Sequence, residues 1–216
     1  MIKIPTLFVR EFKDHKVVGI TEEVTPGCEC VINGECEATV KYDGSCVAVI
    51  NGEWYRRYDA KKGKSVPEGA IPCQDEPDPI TGHWPHWVKI KSDNPGDKWY
   101  FAAFYNSVLD EDNSYVTYEA VGPHFQGNPY GLDYDLVIRH GCIKIHAPFT
   151  FEFLKRYLDA VDIEGIVFWK DNSPVCKIKK SDFGYEWKGN KNDNALLSLQ
   201  KYFTKMNKLY DITIIK

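Results

Sequence analysis

The chain has 216 residues and a formal net charge of −4 at pH 7, and 43% of its residues are hydrophobic. This length supports one substantial core, so we expect a single domain spanning residues 1–216, and the charge argues against a basic coat that binds nucleic acid nonspecifically. The apolar segments are short and the first residues lack the features of a signal peptide, which predicts an intracellular, cytoplasmic protein without membrane association.

The first half of the chain contains strand-like runs. Val40–Ile50 is expected to form a strand, and Glu53–Tyr58 is expected to form another after Asn51-Gly52, a dipeptide typical of two-residue hairpins. This pattern predicts that Lys41 opens a hairpin. Residues 63–98 contain six prolines and several glycines, which predicts a long ordered excursion rather than regular structure.

Short strands are also expected in the middle of the chain. Tyr115–Val121 alternates enough to form a strand, which ends at Gly122-Pro123. Asp135–Ile145 predicts two short strands around a turn at His140-Gly141.

The last third of the chain combines helices with a hairpin. A helix ending near Asp162 is expected because apolar residues recur at helical spacing, at Leu154, Tyr157, Leu158 and Val161. Ile166–Trp169 and Val175–Lys179 are expected to pair as a hairpin turned by residues 171–174. Residues 194–209 predict a C-terminal amphipathic helix. The whole pattern predicts the α+β class, with antiparallel strands and few helices.

Two features leave alternatives open. Seven cysteines, an odd number, do not suggest a disulfide framework and fit a reducing compartment. Cys28, Cys30 and Cys36 form either a metal site or a group of thiols, and the absence of a CxxC spacing favours thiols. The segment His83–Trp87 either stacks on unpaired RNA bases or packs its tryptophans in an irregular loop.

The residues that suggest chemistry begin with Lys41-Tyr42-Asp43-Gly44. A lysine that attacks phosphorus must be neutral, and removing its proton at pH 7 costs about 4 to 5 kcal/mol because the reference pKa of lysine is near 10.4. Nearby cations reduce that cost, and the downstream Lys177, Lys179 and a bound divalent metal are the candidates. Carboxylates are also needed to hold the metal and orient the reactants, and the candidates are Asp43, Glu119 and Glu164.

Five segments in chain order resemble motifs I, Ia, III, IV and V of the covalent nucleotidyltransferases. This superfamily includes DNA ligases, RNA ligases and mRNA capping enzymes. The segments are Lys41–Gly44, Arg57, Tyr118–Gly122, Glu164–Phe168 and Lys177–Lys179. Cys46 stands where DNA ligases and capping enzymes usually carry an arginine, and only 37 residues follow Lys179, too few for their OB-fold domain.

Further stretches are similar to the small ATP-dependent 5′-to-3′ RNA ligase family, which has animal, bacterial and viral members. The resemblance runs from about residue 5 to residue 187. It rests on Val24–Cys28, Ala38–Gly44, Gly82–Pro85 with Trp87-Val88, and Gly127–Leu132. It implies one nucleotidyltransferase domain with an ATP-grasp-like ligase adenylation fold, in which antiparallel sheets are flanked by helices and no OB domain is present.

The resemblance also implies roles for individual residues. Lys41 would be the adenylated nucleophile, and the backbone near Val40 would meet the adenine. The remaining predicted contacts are those of Arg57 and Glu119 with the ribose, Glu164 with Mg²⁺, and Lys177 and Lys179 with the α-phosphate. Asp43 would either orient a ribose hydroxyl or make the turn of the hairpin. The implied cofactors are ATP and Mg²⁺, with Mn²⁺ as an alternative metal.

These residues predict an ATP-dependent RNA ligase. It would join RNA 5′-phosphate and 3′-hydroxyl ends through a lysyl-AMP intermediate, as in RNA repair. Two other interpretations stay open at this point. The chain could be a capping-type guanylyltransferase or a DNA ligase adenylation domain, or it could be an inactive relative that binds RNA.

Overall fold

The computed structural model describes residues 1–14, 16–79, 81–110, 114–145 and 149–191. These residues form antiparallel sheets with few helices, which confirms the predicted α+β class. The strands are β1 (Phe8–Lys13), β2 (Lys16–Val24), β3 (Glu37–Lys41), β4 (Ser45–Ile50), β5 (Glu53–Ala60), β6 (Ile71–Pro72), β7 (Trp84–Lys89), β8 (Tyr115–Val121), β9 (Leu136–Arg139), β10 (Lys144–Ile145), β11 (Gly165–Lys170) and β12 (Ser173–Lys179). The helices are α1 (Glu29–Ile32), α2 (Lys98–Tyr105) and α3 (Phe151–Ala160), with 3-10 turns at Pro95–Asp97 and Lys180–Phe183.

The described chain divides into two compact units. Unit 1 contains Met1–Lys3, Asp43–Arg139 and, beyond those segments, Asn190 and Lys191. Unit 2 contains Ile4–Tyr42 and His140–Gly189. Each unit has its own buried apolar cluster, so each is described by itself.

Unit 2 contains a four-stranded sheet in the order β10-β3-β11-β12 and the hairpin β1-β2. The helix α3 begins where the Thr150 hydroxyl accepts a hydrogen bond from the Phe153 amide, at 3.3 Å. Its residues Leu154 and Leu158 are buried because their four-residue spacing puts both on one face. They pack against the core of this unit, which contains Leu7, Phe8, Val31, Ile166, Phe168 and Ile178.

Unit 1 contains a six-stranded sheet in the order β6-β7-β5-β4-β8-β9. Helix α2 contributes Ala103 and Phe104 to the core of this sheet. Phe104 stacks on Trp54 of β5 with ring centroids 4.9 Å apart. Apolar residues of β4 and β8, such as Val47, complete this core.

Several predicted elements are confirmed. The β4–β5 hairpin turns at Asn51 and Gly52, which have φ values of 51° and 78°, as a two-residue turn requires. The strand at Tyr115–Val121 and the helix ending near residue 161 are present. The hairpin β11–β12 is also present, but its turn is shorter than predicted, because Ser173 and Pro174 already belong to β12.

The prediction that Lys41 opens a hairpin is wrong. Lys41 is the last residue of β3, which pairs with β10 and β11 in unit 2. The chain then passes through residues 42–44 to β4, which pairs with β5 and β8 in unit 1. The alternation of apolar residues through Val40–Ile50 is the same on both sides of this passage, so the pattern cannot reveal that the chain changes sheets. Asp43 therefore makes no hairpin turn.

The prediction that residues 63–98 lack regular structure is also wrong in part. This segment contains β6 and β7, and β7 includes Pro85. Proline lacks only the backbone N–H donor. The Pro85 carbonyl still accepts a hydrogen bond from the Cys73 amide, at 2.9 Å, so the strand keeps this contact. The helix predicted for residues 194–209 lies outside the described residues. No helix among those described is long and apolar enough to cross a membrane.

Candidate active site

Lys41 belongs to a row of paired residues that crosses three strands of unit 2. It lies opposite Gly165 of β11, and Gly165 lies opposite Lys179 of β12. Residues directly opposite each other in an antiparallel sheet point to the same face, with Cβ atoms about 5 Å apart. Lys41 and Lys179 therefore lie on one face, on either side of Gly165. Lys177 shares that face because it precedes Lys179 by two residues.

The other face of this sheet is the apolar core of unit 2. Ile166, Phe168 and Ile178 are all fully buried there. A slip of one residue in the pairing would move these side chains to the outer face and the lysines into the core. The hydrophobic pattern of β11 and β12 therefore fixes the register that brings the three lysines together.

The amine of Lys41 contacts a carboxylate of the same unit. Its Nζ donates to Glu164 Oε2 at 2.5 Å and to the Tyr42 carbonyl oxygen at 3.2 Å. The side chains of Lys41 and Glu164 are 23% and 15% exposed, so both are accessible while being partly shielded from water. The main chain of Glu164 is fixed by a hydrogen bond, because its backbone carbonyl oxygen accepts from the Lys180 amide at 2.9 Å. The two partners are thus fixed by neighbouring strand ends.

Gly165 leaves the space between Lys41 and Lys179 open. A Cβ atom at this position would lie 2.3 Å from the Ile178 carbonyl oxygen and 2.9 Å from the Lys179 Cα. Such distances are incompatible with the present pairing of β11 and β12. The glycine is therefore required for close packing of the strand that carries the row.

The segments that carry Lys177 and Lys179 are anchored by neighbouring groups. The Lys177 amide donates to the Pro5 carbonyl at 3.0 Å, and its carbonyl accepts from the Leu7 amide at 2.8 Å. The Lys179 amide donates to Asp182 Oδ2 at 2.8 Å. The main-chain positions of both lysines are therefore set by hydrogen bonds of their backbone groups.

Sequence reasoning missed the residue pair that supports Lys179. Asp182 is buried and also accepts from Arg10 Nη2 at 2.9 Å. The three-residue spacing from Lys179 to Asp182 is the signal that could have indicated this support, because a carboxylate at that spacing bonds the amide at the start of a helical turn. No comparable local signal points to Arg10, which lies 172 residues away in sequence.

Unit 1 contains Arg57 and Glu119, the two residues that are predicted to contact the ribose of the nucleotide. Val47 pairs with Arg56, so the next residues along, Cys46 and Arg57, point to the opposite face of the sheet from the core. Glu119 pairs directly with Cys46 and shares that face. Arg57 Nε donates to Asp59 Oδ1 at 2.8 Å, and its Nη1 donates to the Met1 carbonyl at 3.1 Å.

Cys46 is the neutral neighbour of these charged groups. Burial, followed by the nearby charge of Glu119, raises the pKa of the Cys46 thiol to about 12. The thiol therefore stays protonated at neutral pH and adds no charge beside Glu119. Gly44 lies next to this position, since a Cβ there would be 2.3 Å from the Ala120 carbonyl oxygen and 2.9 Å from Glu119 Cγ. The glycine of the first motif thus packs against the strand of the third.

Val40 and Asp43 are engaged through their main chains. The Val40 amide donates to the Ile143 carbonyl at 3.0 Å within unit 2. The Asp43 amide donates to Tyr130 Oη at 2.8 Å within unit 1, and Tyr130 is buried. Tyr130 belongs to the segment Gly127–Leu132, which carries part of the family resemblance, and this hydrogen bond gives that segment a structural role.

The segment His83–Trp87 is packed. Trp87 and His86 are 2% and 3% exposed, and His86 Nδ1 contacts the Trp84 carbonyl at 2.9 Å. The Trp84 indole N–H donates to the Gln74 carbonyl at 2.8 Å. The two possibilities raised by the sequence are thus decided for Trp87 in favour of packing, because a buried ring cannot stack on a base.

Charged groups of both signs are gathered at this sheet of unit 2. Lys177 and Lys179 supply positive charge on the face that carries Lys41. Glu164 supplies a partly exposed carboxylate beside the Lys41 amine, and carboxylates are the ligands that proteins offer to Mg²⁺. The arrangement therefore combines an amine, a carboxylate and two further cations, which are the groups that the sequence predicted for a nucleotide site.

Comparison with known proteins points to one group of enzymes. No protein-family model matches the chain. RNA ligase 1 from Danio rerio is 25% identical over an alignment of 252 residues, which covers 82% of this chain and 76% of the relative. The similarity thus extends over most of both proteins. This protein is a distant homologue of RNA ligase 1, and that homology supports its membership of the RNA ligase family.

Proposed function

We propose that this protein is an ATP-dependent RNA ligase that joins RNA 5′-phosphate and 3′-hydroxyl ends through a lysyl-AMP intermediate at Lys41. The name of its relative, RNA ligase 1, supports this activity at the level of the family. The observation that carries the proposal is the row Lys41–Gly165–Lys179, with the Glu164 carboxylate on the Lys41 amine. This arrangement differs from that of an ordinary solvated lysine, because the Lys41 side chain is only 23% exposed and its amine contacts a carboxylate.

In the first step, Lys41 Nζ attacks the α-phosphorus of ATP. A bond between nitrogen and phosphorus forms, and the bond between the α-phosphorus and the bridging oxygen breaks, which releases pyrophosphate. The amine must lose a proton, and Glu164 is within hydrogen-bond reach to accept it. Lys177 and Lys179 offset the negative charge that develops on the α-phosphate.

Glu164 also fits the proposed metal. Magnesium ions are bound in proteins by one or two carboxylates together with substrate phosphates, and Glu164 offers such a carboxylate at the predicted nucleophile. A bound Mg²⁺, or Mn²⁺, neutralises phosphate charge. Glu164 would hold it there, while the Lys41 amine is kept in position by the Tyr42 carbonyl.

Two further transfers complete the proposed reaction. The RNA 5′-phosphate attacks the phosphorus of lysyl-AMP, so that the bond to Lys41 Nζ breaks and an adenylated RNA end forms. The RNA 3′-hydroxyl then attacks the 5′-phosphate and AMP leaves. The amine of Lys41 regains a proton after the second step and is ready for another ATP.

The contacts of Arg57 and Glu119 with the ribose, and of Val40 and Asp43 with the nucleoside, stay predictions. The proposal also includes the ATP-grasp-like nucleotidyltransferase fold and the assignment of residues 1–216 to a single adenylyltransferase domain. They rest on the order of the motifs and on the distant homology.

Labelling with ATP tests the proposed nucleophile. Incubation of the protein with Mg²⁺ and ATP labelled at the α-phosphate should leave the label on the protein, and Lys41→Ala should abolish it. Lys170→Ala is the matched control, because Lys170 is an exposed lysine of β11 in the same unit and pairs with Glu35. Wild-type protein without label, or equal labelling of Lys41→Ala, would refute the mechanism.

A second variant tests the role of Glu164. Glu164→Gln keeps a hydrogen-bond acceptor but removes the charge that binds metal and accepts the proton, so the labelling rate should fall at least about tenfold. Glu152→Gln on α3 is the control, because Glu152 is exposed and lies outside the row. An unchanged rate for Glu164→Gln would remove Glu164 from the mechanism.

The choice of nucleotide and polynucleotide separates the alternatives. Label from ATP but not from GTP, followed by joining of 5′-phosphorylated RNA, is expected. Label from GTP would indicate a capping-type guanylyltransferase, and preferential joining of nicked duplex DNA would indicate a DNA ligase. RNA binding without any covalent label would indicate an inactive relative.

A further inference from the structure

Four cysteines of unit 2 form two pairs of neighbouring thiols. Cys28 and Cys30 lie at the start of α1 and within it, and Cys36 lies in the connection to β3. Cys176 belongs to β12. Cys30 Sγ and Cys36 Sγ are 2.6 Å apart, and Cys28 is hydrogen-bonded to Cys176. This arrangement does not follow from sequence spacing, because Cys176 is far from the other three in the chain.

The pair Cys28–Cys176 is closed to solvent. Cys28 and Cys176 are 1% and 0% exposed in the core of unit 2. The hydrogen bond from Cys176 lowers the pKa of Cys28, and the same bond together with burial raises the pKa of Cys176. A reagent in solution cannot reach either sulfur without opening the core.

The pair Cys30–Cys36 is partly exposed. Cys36 lines an open groove of about 500 Å³, whose walls include Ile32, Ala38 and Lys144. The segment between the two cysteines is already bent back on itself, because the Glu35 amide donates to the Cys30 carbonyl at 2.9 Å. The two cysteines are therefore partly exposed, and the backbone holds them close together.

The positions of the sulfurs favour a bond between thiols over a zinc site. Four sulfurs that share a zinc ion lie roughly 3.8 Å from one another, as follows from Zn–S bonds of about 2.3 Å in a tetrahedron. Among the described residues, no three of these four cysteines have their sulfurs within 4.8 Å of one another. A disulfide needs sulfurs about 2.05 Å apart, so Cys30 and Cys36 at 2.6 Å require only a small side-chain movement.

We propose that Cys30 and Cys36 are a reversible oxidation site, which a small-molecule disulfide such as oxidised glutathione converts to an intramolecular disulfide. The Cys30 thiolate attacks one sulfur of the small disulfide, forms a mixed disulfide and releases one thiolate. The Cys36 thiolate then attacks Cys30 Sγ, forms the internal disulfide and releases the second thiolate. Two protein thiols are oxidised and one small disulfide is reduced to two thiols, which take up the two protons.

The order of attack follows from the hydrogen bond between the two sulfurs. The Cys36 thiol donates to Cys30 Sγ. Burial, followed by this contact with Cys30, raises the pKa of Cys36 to about 12, so Cys36 keeps its proton in the reduced pair. Cys30 is therefore the first thiol to react, and Cys36, whose sulfur lies 2.6 Å from Cys30 Sγ, is the resolving thiol.

Mass spectrometry of the intact protein tests this site. Wild-type protein equilibrated with oxidised glutathione and then alkylated should carry two fewer alkyl groups than the reduced protein, and the peptides that contain Cys30 and Cys36 should be linked. Cys36→Ser should instead retain one glutathione on Cys30, because the resolving thiol is absent. Cys142→Ser is the control and should still form the link, since Cys142 is an exposed cysteine outside the pair.

Three results would overturn the proposal. These are stable glutathione on wild-type Cys30 or Cys36 without an internal link, a link that includes Cys28 or Cys176, and zinc bound in stoichiometric amount to the reduced protein. The oxidised protein should also melt about 5 °C higher than the reduced protein, because the bond restricts the unfolded chain. None of these measurements depends on ligase activity, so the result is independent of the function proposed above.

Discussion

The two sheets hold their predicted site residues in rows that differ at the centre. In unit 2, Lys41 and Lys179 lie on either side of Gly165 across three adjacent strands. In unit 1, Arg57 and Glu119 lie on either side of Cys46 across three adjacent strands. The central residue of the row is therefore a glycine in unit 2, where a Cβ would meet the backbone of β12, and a cysteine in unit 1.

This difference indicates where each group tolerates change. In unit 2, any side chain at the central position would disturb the strand pairing and move Lys41 and Lys179 together. In unit 1 the central position already carries a side chain, so substitution of Arg57 would remove its own contacts and leave the row in place. Both sheets nevertheless contain a motif glycine whose missing Cβ allows a close approach, Gly165 in unit 2 and Gly44 in unit 1.

Alanine at the two motif glycines tests this comparison with the largest expected effect. Gly165→Ala should lower the free energy of unfolding by about 3 kcal/mol. The new Cβ would meet the Ile178 carbonyl of β12, and β11 cannot move away easily because it is paired with a strand on each side. Gly44→Ala should cost about 2 kcal/mol, because Gly44 precedes β4 and its neighbours can shift. Urea unfolding measures both values.

Gly19→Ala is the matched control for these variants. Gly19 lies in β2, and its new Cβ would approach the flexible end of Glu11 at 3.3 Å. We expect a change below about 1 kcal/mol for this variant. A loss for Gly44→Ala equal to that of Gly165→Ala would contradict the distinction between a glycine paired with strands on both sides and a glycine that precedes its strand.

The neighbouring arginines of β5 provide the second test, within unit 1. Arg56 points to the core side and its Nε donates to Asp97 Oδ1 at 2.6 Å, where Asp97 is fully buried. Arg56→Ala should cost about 2 to 3 kcal/mol of stability, because it leaves a buried carboxylate without its cation. Arg57→Ala should raise the KM for ATP in the labelling reaction about tenfold.

The two arginine variants serve as controls for each other. Arg57→Ala should change the urea midpoint little, because its partner Asp59 is 47% exposed and can be solvated. Arg56→Ala should leave the KM for ATP unchanged in the folded protein. An effect of Arg56→Ala on KM, or a stability loss of more than about 2 kcal/mol for Arg57→Ala, would contradict the assignment of the two faces.

The same arginines illustrate what the sequence could predict. Adjacent residues of a strand point to opposite faces, so strand β5 implied different surroundings for Arg56 and Arg57. The sixteen-residue spacing from Lys41 selected Arg57. The sequence could not identify the partner of Arg56, since Asp97 lies 41 residues away near the end of the proline-rich segment and is brought near only by the fold. Hairpins and periodic helices were predictable because their signals are local.

The predictions that failed share one physical cause. The strand-like run through Val40–Ile50 changes sheets after Lys41, and the proline-rich segment contributes β7 to the sheet of unit 1. In both cases the pairing partner is distant in sequence, and local pattern carries no information about it. For the same reason the contact of Cys28 with Cys176 could not be foreseen.

The smallest expected effect concerns acid stability. Burial raises the pKa of Asp78 in unit 1, but the hydroxyl and amide of Thr81, and then Lys3, lower it more, to about 2. Because the folded pKa lies below the unfolded value, the stabilisation is present above about pH 4 and is lost as the pH falls toward 2. Asp78→Asn should remove about 1 to 2 kcal/mol at pH 6 and nothing near pH 2. Glu35→Gln in unit 2 is the control. The hydrogen bond with Lys170 also lowers the pKa of Glu35, but both side chains are about half exposed, so we expect a smaller change at pH 6 than for Asp78→Asn. Parallel urea-unfolding curves of wild type and Asp78→Asn across this pH range would show that Asp78 carries no such linkage.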